Sequence, residues 1–506
     1  MQNPKITSIF DYIVEVSGEF PYKQRQFYHL KDNPECKMML INATKDRAFL
    51  IANTKNHDLK INVEVILDND EARLDTNDEY FGKVIDIDGN VILPQAHKFK
   101  KPTPQGAKIF ELAHDLTTVK TLNEQLFTGI VAVDLLIPIG KGQRELIIGD
   151  RQTGKTHIAL NTIINQVSNG VKCVYVAIGQ KREAISRIYN TLEQYNALAN
   201  TIIIDAPSTS AFEQYLAPYV GMAHAENISK TDDVLIIFDD LTKHANIIRE
   251  IALLTDRPVG KEAMPGDTFF SHSQLLERAG SFVGRKTITA LPILQTVDGD
   301  ITSLIASNII SITDGQIVTS ADLFSQGVLP AININLSVSR TGSSVQSRLI
   351  TKVAADIGKI FKEYKRHLKL AMLDYDFNKE TSLLIYKGKM IDKMFNQKGF
   401  ILYSQEFVLF MSKLISWTIL KGIKDEQKAL LFLNKLIEID PDAKNTYHTI
   451  MNDLNYDDSL AKAYFACALR QYSQLLNLGW EIESEHEFVE ISDNTLNEIA
   501  VMLGDK

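Results

Sequence analysis

This chain is organised around one segment, which reads Gly142-Gln143-Arg144-Glu145-Leu146-Ile147-Ile148-Gly149-Asp150-Arg151-Gln152-Thr153-Gly154-Lys155-Thr156. Its apolar residues predict a buried strand, and residues 156–167 predict an amphipathic helix. Between them the spacing G-x-x-x-x-G-K-T is that of a P-loop, a turn that binds phosphate. The alternative is a structural turn with the same residues that binds no phosphate. The combination of strand, loop and helix favours the P-loop.

The loop residues predict a nucleotide bound with magnesium. At the start of a helix, free backbone N–H groups and the helix dipole attract an anion. Lys155 adds a positive charge for the β- and γ-phosphates, and the Thr156 hydroxyl is a ligand for Mg²⁺. We therefore predict ATP or ADP with Mg²⁺ as cofactors, bound by Gly149, Asp150, Arg151, Gln152, Thr153, Gly154, Lys155 and Thr156.

A second segment, residues 234–240, is an apolar strand that ends in two aspartates. P-loop ATPases use an acid in this position to hold Mg²⁺. Asp239 is therefore predicted to be the second metal residue beside Thr156. Acids at strand ends are common, so this prediction depends on the P-loop that precedes the strand.

The strand after the P-loop helix ends in Val176-Ala177-Ile178-Gly179-Gln180. Hydrolysis needs a group that orients and activates water, usually a carboxylate near the γ-phosphate. The Gln180 amide can hydrogen-bond a water but cannot accept its proton, and loss of a general base costs roughly 10² to 10⁴ in rate. We predict that Gln180 lies at the nucleotide site and that the chain hydrolyses its nucleotide poorly.

The composition excludes several other classes of protein. With 506 residues, 45% hydrophobic and 23% charged, about two to four globular domains are expected. Cys36, Cys173 and Cys467 are widely spaced, which argues against disulfides and zinc. The sequence has no apolar run that could span a bilayer and no leader, so a cytoplasmic location is predicted. The net charge of −9 argues against nucleic-acid binding.

Three patterns follow one another along the chain and predict a multidomain fold. Short runs in which apolar and polar residues alternate predict a small β-barrel. These runs are 12–16, 38–42, 47–52 and 60–66. An acidic turn at 75–79 predicts the end of the barrel. Strands and helices then alternate, as in a parallel sheet covered by helices. From about Arg348 a helical periodicity follows. The predicted domains are a β-barrel at 1–76, an α/β P-loop domain at 77–350 and an α-helical domain at 351–506.

Within the α/β domain the sequence predicts individual elements. The predicted helices are 181–197, 211–225, 242–254 and 271–280, and the predicted strands are 172–178, 201–204, 234–238, 287–291 and 309–312.

Several segments resemble the α subunit of the rotary F-type ATP synthase, densely from about 128 to 346. They include GQRELIIGDRQTGKT (142–156), VYVAIGQKR (174–182), IIFDDLTKH (236–244), RPVGKEAMPGDTFFSHSQLLERAG (257–280), SNIISITDGQI (307–317) and PAININLSVSRTGS (330–343). The resemblance implies a RecA-like P-loop domain and a site that binds Mg-ATP without turning it over. It also implies a ring in which α-type chains alternate with catalytic β-type chains around a γ-like shaft.

The resemblance further implies a catalytic role in trans for Arg340, as an arginine finger that meets the γ-phosphate in the neighbouring β-type site. Such a guanidinium offsets charge on the transferring phosphoryl group. The sequence alone favours the alternative, because arginines at strand ends usually form surface ion pairs. Thr302 and Ser337 match positions near the same interface and are predicted to assist.

Other positions depart from the family. Leu329-Pro330 stands where the family has Arg-Pro, and of two glutamines near the adenine Gln397 survives while Gly399 replaces the second. We expect a weakened or altered nucleotide affinity. A short N-terminus and a diverged final eighty or so residues indicate a specialised paralogue, similar to the F1-like ATPases of mollicutes, some of which serve gliding motility. Such a complex is expected at the cytoplasmic face of the membrane, with partners of its own.

Two alternatives stay open from the sequence. One is a self-sufficient homohexameric motor, such as a secretion-type ATPase or a Rho-like RNA translocase, against which Gln180 and the acidic charge argue. The other is a regulatory or scaffolding subunit in which Arg340 has no role in catalysis.

Overall fold

The computed structural model describes residues 3–54, 58–68, 72–94, 106–371, 379–400, 403–452, 456–484 and 491–504. The contacts within the chain define two compact units. The first contains Met1–Thr128 and Ile137–Val345, and the second contains Gly129–Leu136 and Gln346–Lys506. The domain limits predicted from the sequence stay a prediction.

The first unit begins with six antiparallel strands: β1 (Lys5–Phe10), β2 (Ile13–Ser17), β3 (Phe27–Leu30), β4 (Asn33–Ala43), β5 (Arg47–Ala52) and β6 (Val65–Leu67). Their order is β1-β2-β5-β4-β3-β6. The chain at the start of β6 pairs with β1, because Ile6 donates its N–H to the Val63 carbonyl at 3.0 Å and Lys5 forms an antiparallel bridge with Glu64. This pairing closes the sheet into the predicted barrel. Alternate residues such as Val14, Val16 and Leu50 fill the interior, which explains the period of two in the sequence.

The rest of the first unit contains thirteen described strands: β7 (Arg73–Leu74), β8 (Val84–Ile85), β9 (Val91–Leu93), β10 (Ala107–Lys108), β11 (Gln125–Leu126), β12 (Ile139–Gly140), β13 (Leu146–Gly149), β14 (Lys172–Gln180), β15 (Thr201–Pro207), β16 (Val234–Asp239), β17 (Ile288–Gln295), β18 (Gly315–Thr319) and β19 (Val338–Ser339). Nine of them form one sheet in the order β19-β18-β13-β17-β16-β14-β15-β8-β9. From β18 to β8 in this order, each strand is parallel to the next one.

Helices connect these strands, as expected for parallel neighbours. After α1 (Val131–Leu136), which belongs to the second unit, they are α2 (Lys155–Gln166), α3 (Arg182–Gln194), α4 (Ala211–Ile228), α5 (Leu241–Leu254), α6 (Asp267–Leu276), α7 (Leu304–Ile312) and α8 (Ala321–Ser325). In the parallel part of the sheet, the carboxyl ends of β13, β14, β16 and β17 lie at one edge, because parallel strands share a direction. The P-loop follows β13 at this edge.

One predicted element is wrong. Residues 309–312 were expected to form a strand, but they are the last turn of α7. Ile309 is buried while Ser311 is exposed, and the Thr313 hydroxyl donates to the Ile309 carbonyl at 2.9 Å, so this run follows helical geometry. β-branched residues favour strands only weakly, and packing overrides that preference. The actual strand, β18, begins three residues later at Gly315.

The second unit is helical in its described residues. Its helices are α1 followed by α9 (Arg348–Ala371), α10 (Lys379–Phe395), α11 (Gln405–Trp417), α12 (Glu426–Ile439), α13 (Pro441–Met451), α14 (Asp458–Leu475) and α15 (Asp493–Met502). The rings of Phe432 on α12 and Tyr472 on α14 stack with centroids 4.0 Å apart. The predicted fold class of β-barrel, α/β P-loop domain and helical domain is confirmed.

None of the described helices is both long and apolar enough to cross a membrane.

Candidate nucleotide-binding site

The P-loop connects β13 to α2. Its first glycine packs closely against β18, the parallel neighbour of β13. A Cβ on Gly149 would lie 2.0 Å from the Thr319 Oγ1 atom of β18, so the loop backbone lies directly on that strand. Gly154 has φ +89°, a left-handed conformation that glycine adopts without strain. The backbone is therefore shaped for close approach of a ligand at the start of α2.

Three further contacts hold the loop in place. The Asp150 Oδ1 atom accepts hydrogen bonds from the Thr296 hydroxyl at 2.6 Å and from the Gly299 N–H at 2.7 Å. The hydroxyls of Thr153 and Thr319 lie 2.6 Å apart. Asp150 and Thr153 thus fix the loop to the segments after β17 and in β18, while Arg151 and Gln152 are exposed.

Lys155 places its charge inside the loop. Its Nζ atom donates to the Gly149 carbonyl at 2.8 Å and to the Asp150 carbonyl, and the side chain is buried. Burial lowers the pKa of Lys155, although the nearby carboxylates of Asp240, Asp239 and Asp150 act in the opposite direction. A buried ammonium at a helix N-terminus suits a phosphate, which would restore a counter-charge.

The pair of predicted metal residues is in contact. The Thr156 hydroxyl donates to the Asp239 Oδ2 atom at 3.0 Å. Asp240 has a different task, because its Oδ1 atom accepts the Lys243 N–H at 3.0 Å and caps α5. The contact with Thr156 and the capping role of Asp240 identify Asp239 as the better candidate for magnesium.

This pair has the chemistry that Mg²⁺ requires. Magnesium prefers hard oxygen ligands and is usually bound by one or two protein groups together with waters and phosphate oxygens. A hydroxyl and a carboxylate 3.0 Å apart at the N-terminus of α2 meet this requirement. The described residues contain no group of three or more His, Cys, Asp or Glu that could hold a metal ion, so a site built wholly from such side chains is not found among them.

Tyr175 is a site residue that the sequence analysis missed. It is fully buried in β14, and its hydroxyl donates to the same Oδ2 atom of Asp239. Burial raises the pKa of Tyr175 well above its usual range, and the Asp239 charge and hydrogen bond add to the shift, so the hydroxyl keeps its proton. The available signal was a polar tyrosine within the otherwise apolar run Cys173 to Ile178.

Gln180 lies at the end of β14, next to the Asp239 strand. Its Nε2 atom donates to the Asp239 backbone carbonyl at 3.3 Å. The amide is therefore at the same edge of the sheet as the P-loop. Its role toward a nucleotide stays a prediction.

Arg340 lies just beyond the edge strand β19 and is exposed. Its guanidinium donates to the carbonyls of Thr313 at 3.0 Å and Ile310 at 3.1 Å, at the carboxyl end of α7. Such carbonyls carry partial negative charge, which stabilises a cation there. Together with Arg144 and Asp314, Arg340 lines a cavity of about 590 Å³, and among the described contacts it makes no ion pair.

Ser337 and Thr302 do not share the contacts that Arg340 makes at the end of α7. Ser337 is buried, and its hydroxyl donates to the Asn333 carbonyl at 2.7 Å and accepts the Val318 N–H at 2.9 Å, so it holds the chain against β18. Thr302 is exposed and precedes α7. It lies before the amino end of α7, whereas Arg340 binds carbonyls at the carboxyl end of that helix. The structure therefore does not bring Thr302, Ser337 and Arg340 into one cluster, and their catalytic roles stay predictions.

Gln397 belongs to the second unit and is buried. Its Oε1 atom accepts the Val131 N–H at 2.8 Å, and its Nε2 atom donates to the Gly129 carbonyl at 2.9 Å. Both amide atoms therefore bind the backbone at the start of α1. The predicted contact of Gln397 with the adenine stays a prediction.

The fold and site together define a P-loop nucleotide-binding protein in which Thr156 contacts Asp239 at the carboxyl edge of the parallel strands. A family model described as "ATP synthase alpha/beta family, nucleotide-binding domain" matches residues 129–339. The chain belongs to this family.

Its relatives carry the name of the α subunit. The chain is 42% identical over 516 aligned residues to ATP synthase subunit alpha 2 of Mycoplasmopsis pulmonis, covering 100% of both chains. It is 36% identical to ATP synthase subunit alpha of Mycoplasmoides gallisepticum, covering 94% of this chain and 92% of that one. It is 39% identical to the subunit alpha of Carsonella ruddii, covering 78% and 83%. The resemblance seen in the sequence, including that to mollicute proteins, is confirmed.

Proposed function

We propose that this chain is a nucleotide-binding, non-catalytic α-type subunit of an F1-like rotary ATPase, which supplies Arg340 to the site of a neighbouring catalytic β-type subunit. The observation that carries the proposal is Gln180. Its amide lies at the end of β14 and contacts the Asp239 backbone at 3.3 Å. The site thus has phosphate-binding and magnesium groups together with an amide in the expected place of the base.

This combination supports binding without turnover. Lys155 and the P-loop backbone hold phosphate, and Thr156 and Asp239 hold the metal. When bound, Mg²⁺ offsets negative charge on the phosphates. Gln180 orients a water but leaves it protonated, because a neutral amide has no basic lone pair at physiological pH.

The proposed role of Arg340 depends on its exposure. Its guanidinium is held by two α7 carbonyls and stays accessible at the surface of its unit. An arginine held in this way can enter a neighbouring site without a large loss of side-chain entropy. In the ring we propose, α-type and β-type chains alternate around a γ-like shaft, as the resemblance to the F-type α subunit implies.

We further propose a specialised complex rather than the housekeeping ATP synthase, peripheral at the cytoplasmic face of the membrane. Leu329 and Gly399, which replace nucleotide contacts implied by the family, support this proposal, as does the name "alpha 2" of the Mycoplasmopsis pulmonis relative. Gliding motility is the use that the sequence suggested. Affinity purification of the native complex tests it, since recovery of proton-channel subunits with the chain would support the housekeeping enzyme instead.

The decisive experiment measures the ATPase rate and native mass of the full chain, alone and mixed with its β-type partner. We expect almost no activity alone and a large, active hetero-oligomer in the mixture. Brisk turnover by the isolated chain as a homo-oligomer would contradict the proposal and support the self-sufficient motor. Activity of the mixture that does not depend on Arg340 would support the scaffolding alternative.

A further inference from the structure

Three elements of the first unit meet at one oxygen atom. Asp239 ends β16, Thr156 is the second residue of α2 and Tyr175 lies within β14. The hydroxyls of both Thr156 and Tyr175 donate to the Oδ2 atom of Asp239. Asp239 is itself only 4% exposed, so protein groups rather than bulk water determine how its carboxylate is oriented.

The sheet fixes Tyr175 in this position. Strands β14 and β16 are parallel neighbours in which Ala177 pairs with Asp239. Tyr175 is two residues before Ala177, and side chains two residues apart project from the same face of a strand. The long phenol ring spans this offset and brings its hydroxyl to the carboxylate.

We propose that Tyr175 is a positioning residue for magnesium, which holds the Asp239 carboxylate through Oδ2 so that its other oxygen, Oδ1, accepts from the water shell of Mg²⁺. This inference rests on the proposed Mg-nucleotide site. Thr156 needs its lone pairs for the metal, while Tyr175 contributes a second, permanent donor from within the core. Outer groups that orient a metal ligand typically change metal affinity about 10- to 100-fold when removed.

A packing role for Tyr175 predicts something different. A buried ring that only fills space affects the stability of the fold, and it affects nucleotide binding equally with and without metal. A positioning role affects only the part of the affinity that Mg²⁺ contributes. The ratio of the ATP dissociation constant in EDTA to that in excess Mg²⁺ separates these two roles.

The experiment measures this ratio by calorimetry for the full chain and for Tyr175→Phe, which removes one oxygen and keeps the ring. The matched control is Tyr219→Phe. Tyr219 is buried in the same unit, and its hydroxyl donates to the Ser271 carbonyl at 3.4 Å, away from the predicted metal residues. In Tyr175→Phe we expect this ratio to fall about 10- to 100-fold, while the dissociation constant in EDTA stays unchanged. In Tyr219→Phe we expect the wild-type ratio.

An unchanged ratio in Tyr175→Phe would overturn the inference and leave the proposed function standing. An equal loss of affinity with and without Mg²⁺ would also overturn it, in favour of packing. A wild-type ratio near one would contradict the Mg-nucleotide site itself, and the inference would fail with it. If thermal melting shows that Tyr175→Phe does not fold, Tyr175→Leu replaces it under the same criteria, because leucine keeps an apolar side chain in the core and has no hydrogen-bond donor.

Discussion

At the residue scale, the P-loop, Asp239 and Gln180 lie at one edge of the sheet. Lys155 and Thr156 begin α2, the Thr156 hydroxyl donates to Asp239, and the Gln180 amide donates to the Asp239 backbone carbonyl. Under the proposed function, single residues separate nucleotide binding from turnover in this chain. Two predictions concern such residues.

Substituting Arg340 by lysine tests the catalytic role in trans. In a complex reconstituted with the β-type chain, we expect the ATPase rate to fall by an amount approaching the roughly 10³- to 10⁵-fold contribution of an arginine finger, because lysine lacks the planar fork of donors. The control is Arg249→Lys, since Arg249 donates to Asn246 on the surface of α5 at 3.1 Å. Unchanged turnover in Arg340→Lys would favour the scaffolding alternative.

Leu329→Arg tests whether the departure at this position weakens the nucleotide site. A guanidinium that reaches a charged ligand adds a hydrogen bond of about 1.5 to 3 kcal/mol, so we expect Mg-ATP to bind about 10- to 100-fold more tightly. Titration calorimetry provides the measurement, and Val328→Arg is the control for added charge at the neighbouring position. Equal dissociation constants for wild type and Leu329→Arg would disprove a lost contact here.

At the scale of elements, the P-loop depends on the strand beside it. Gly149 ends β13, and Thr319 ends β18, its parallel neighbour. The Thr319 hydroxyl also contacts Thr153 within the loop at 2.6 Å. The conformation of the loop is therefore set jointly by its own glycines and by a strand that lies 166 positions further along the chain.

Gly149→Ala should disrupt this contact. The added Cβ would lie 2.0 Å from Thr319 Oγ1 and 2.6 Å from the Thr319 carbonyl oxygen, so backbone must move. We expect destabilisation of about 1 to 3 kcal/mol together with loss of nucleotide binding, measured by denaturant unfolding and by calorimetry. Gly266→Ala, where the new atom meets nothing within 4 Å, should keep both properties. Retention of wild-type stability and affinity by Gly149→Ala would refute the close approach.

At the scale of the whole molecule, buried neutral histidines in the first unit link stability to pH. His244 and His272 are buried with nitrogens 3.2 Å apart, and His224 is buried against Thr76. Burial lowers the pKa of His224 and of His244 to about 4. Burial, with a smaller effect of His244, lowers the pKa of His272 to about 3.

These shifts predict acid sensitivity. The fold keeps the imidazoles neutral, whereas the unfolded chain takes up protons below its ordinary histidine pKa of about 6.5. The stabilisation is therefore complete above about pH 6.5 and is lost as the pH falls toward 4. We expect a loss on the order of 1 kcal/mol per histidine between pH 7 and pH 5.5, measured by thermal or urea unfolding.

His272→Gln should make this pH dependence shallower, because one of the proton-binding groups is removed. Tyr219→Phe, a change in the same aromatic cluster, should leave its slope unchanged. A stability that is constant from pH 7 to 5.5 in the wild type would contradict the neutral burial of these histidines.

The sequence by itself determined what depends on neighbours along the chain. The P-loop, the aspartates at the end of β16, the amide at Gln180 and the helical periodicity after Arg348 are local patterns, and each lies in or beside an element of the predicted type. The strand predicted at 309–312 was wrong for the same reason. A short apolar run fits a strand and a helix equally well, so a local pattern could not distinguish them. There, burial of one helical face decided the outcome.

Only the tertiary structure decided which distant residues meet. Tyr175 and Asp239 are 64 positions apart, and they touch because β14 and β16 became neighbours in the sheet. The same order of strands places Thr319 on Gly149 and puts Ser337 inward while Arg340 reaches the end of α7. No local pattern encodes strand order, because it results from how all the elements bury their apolar faces together.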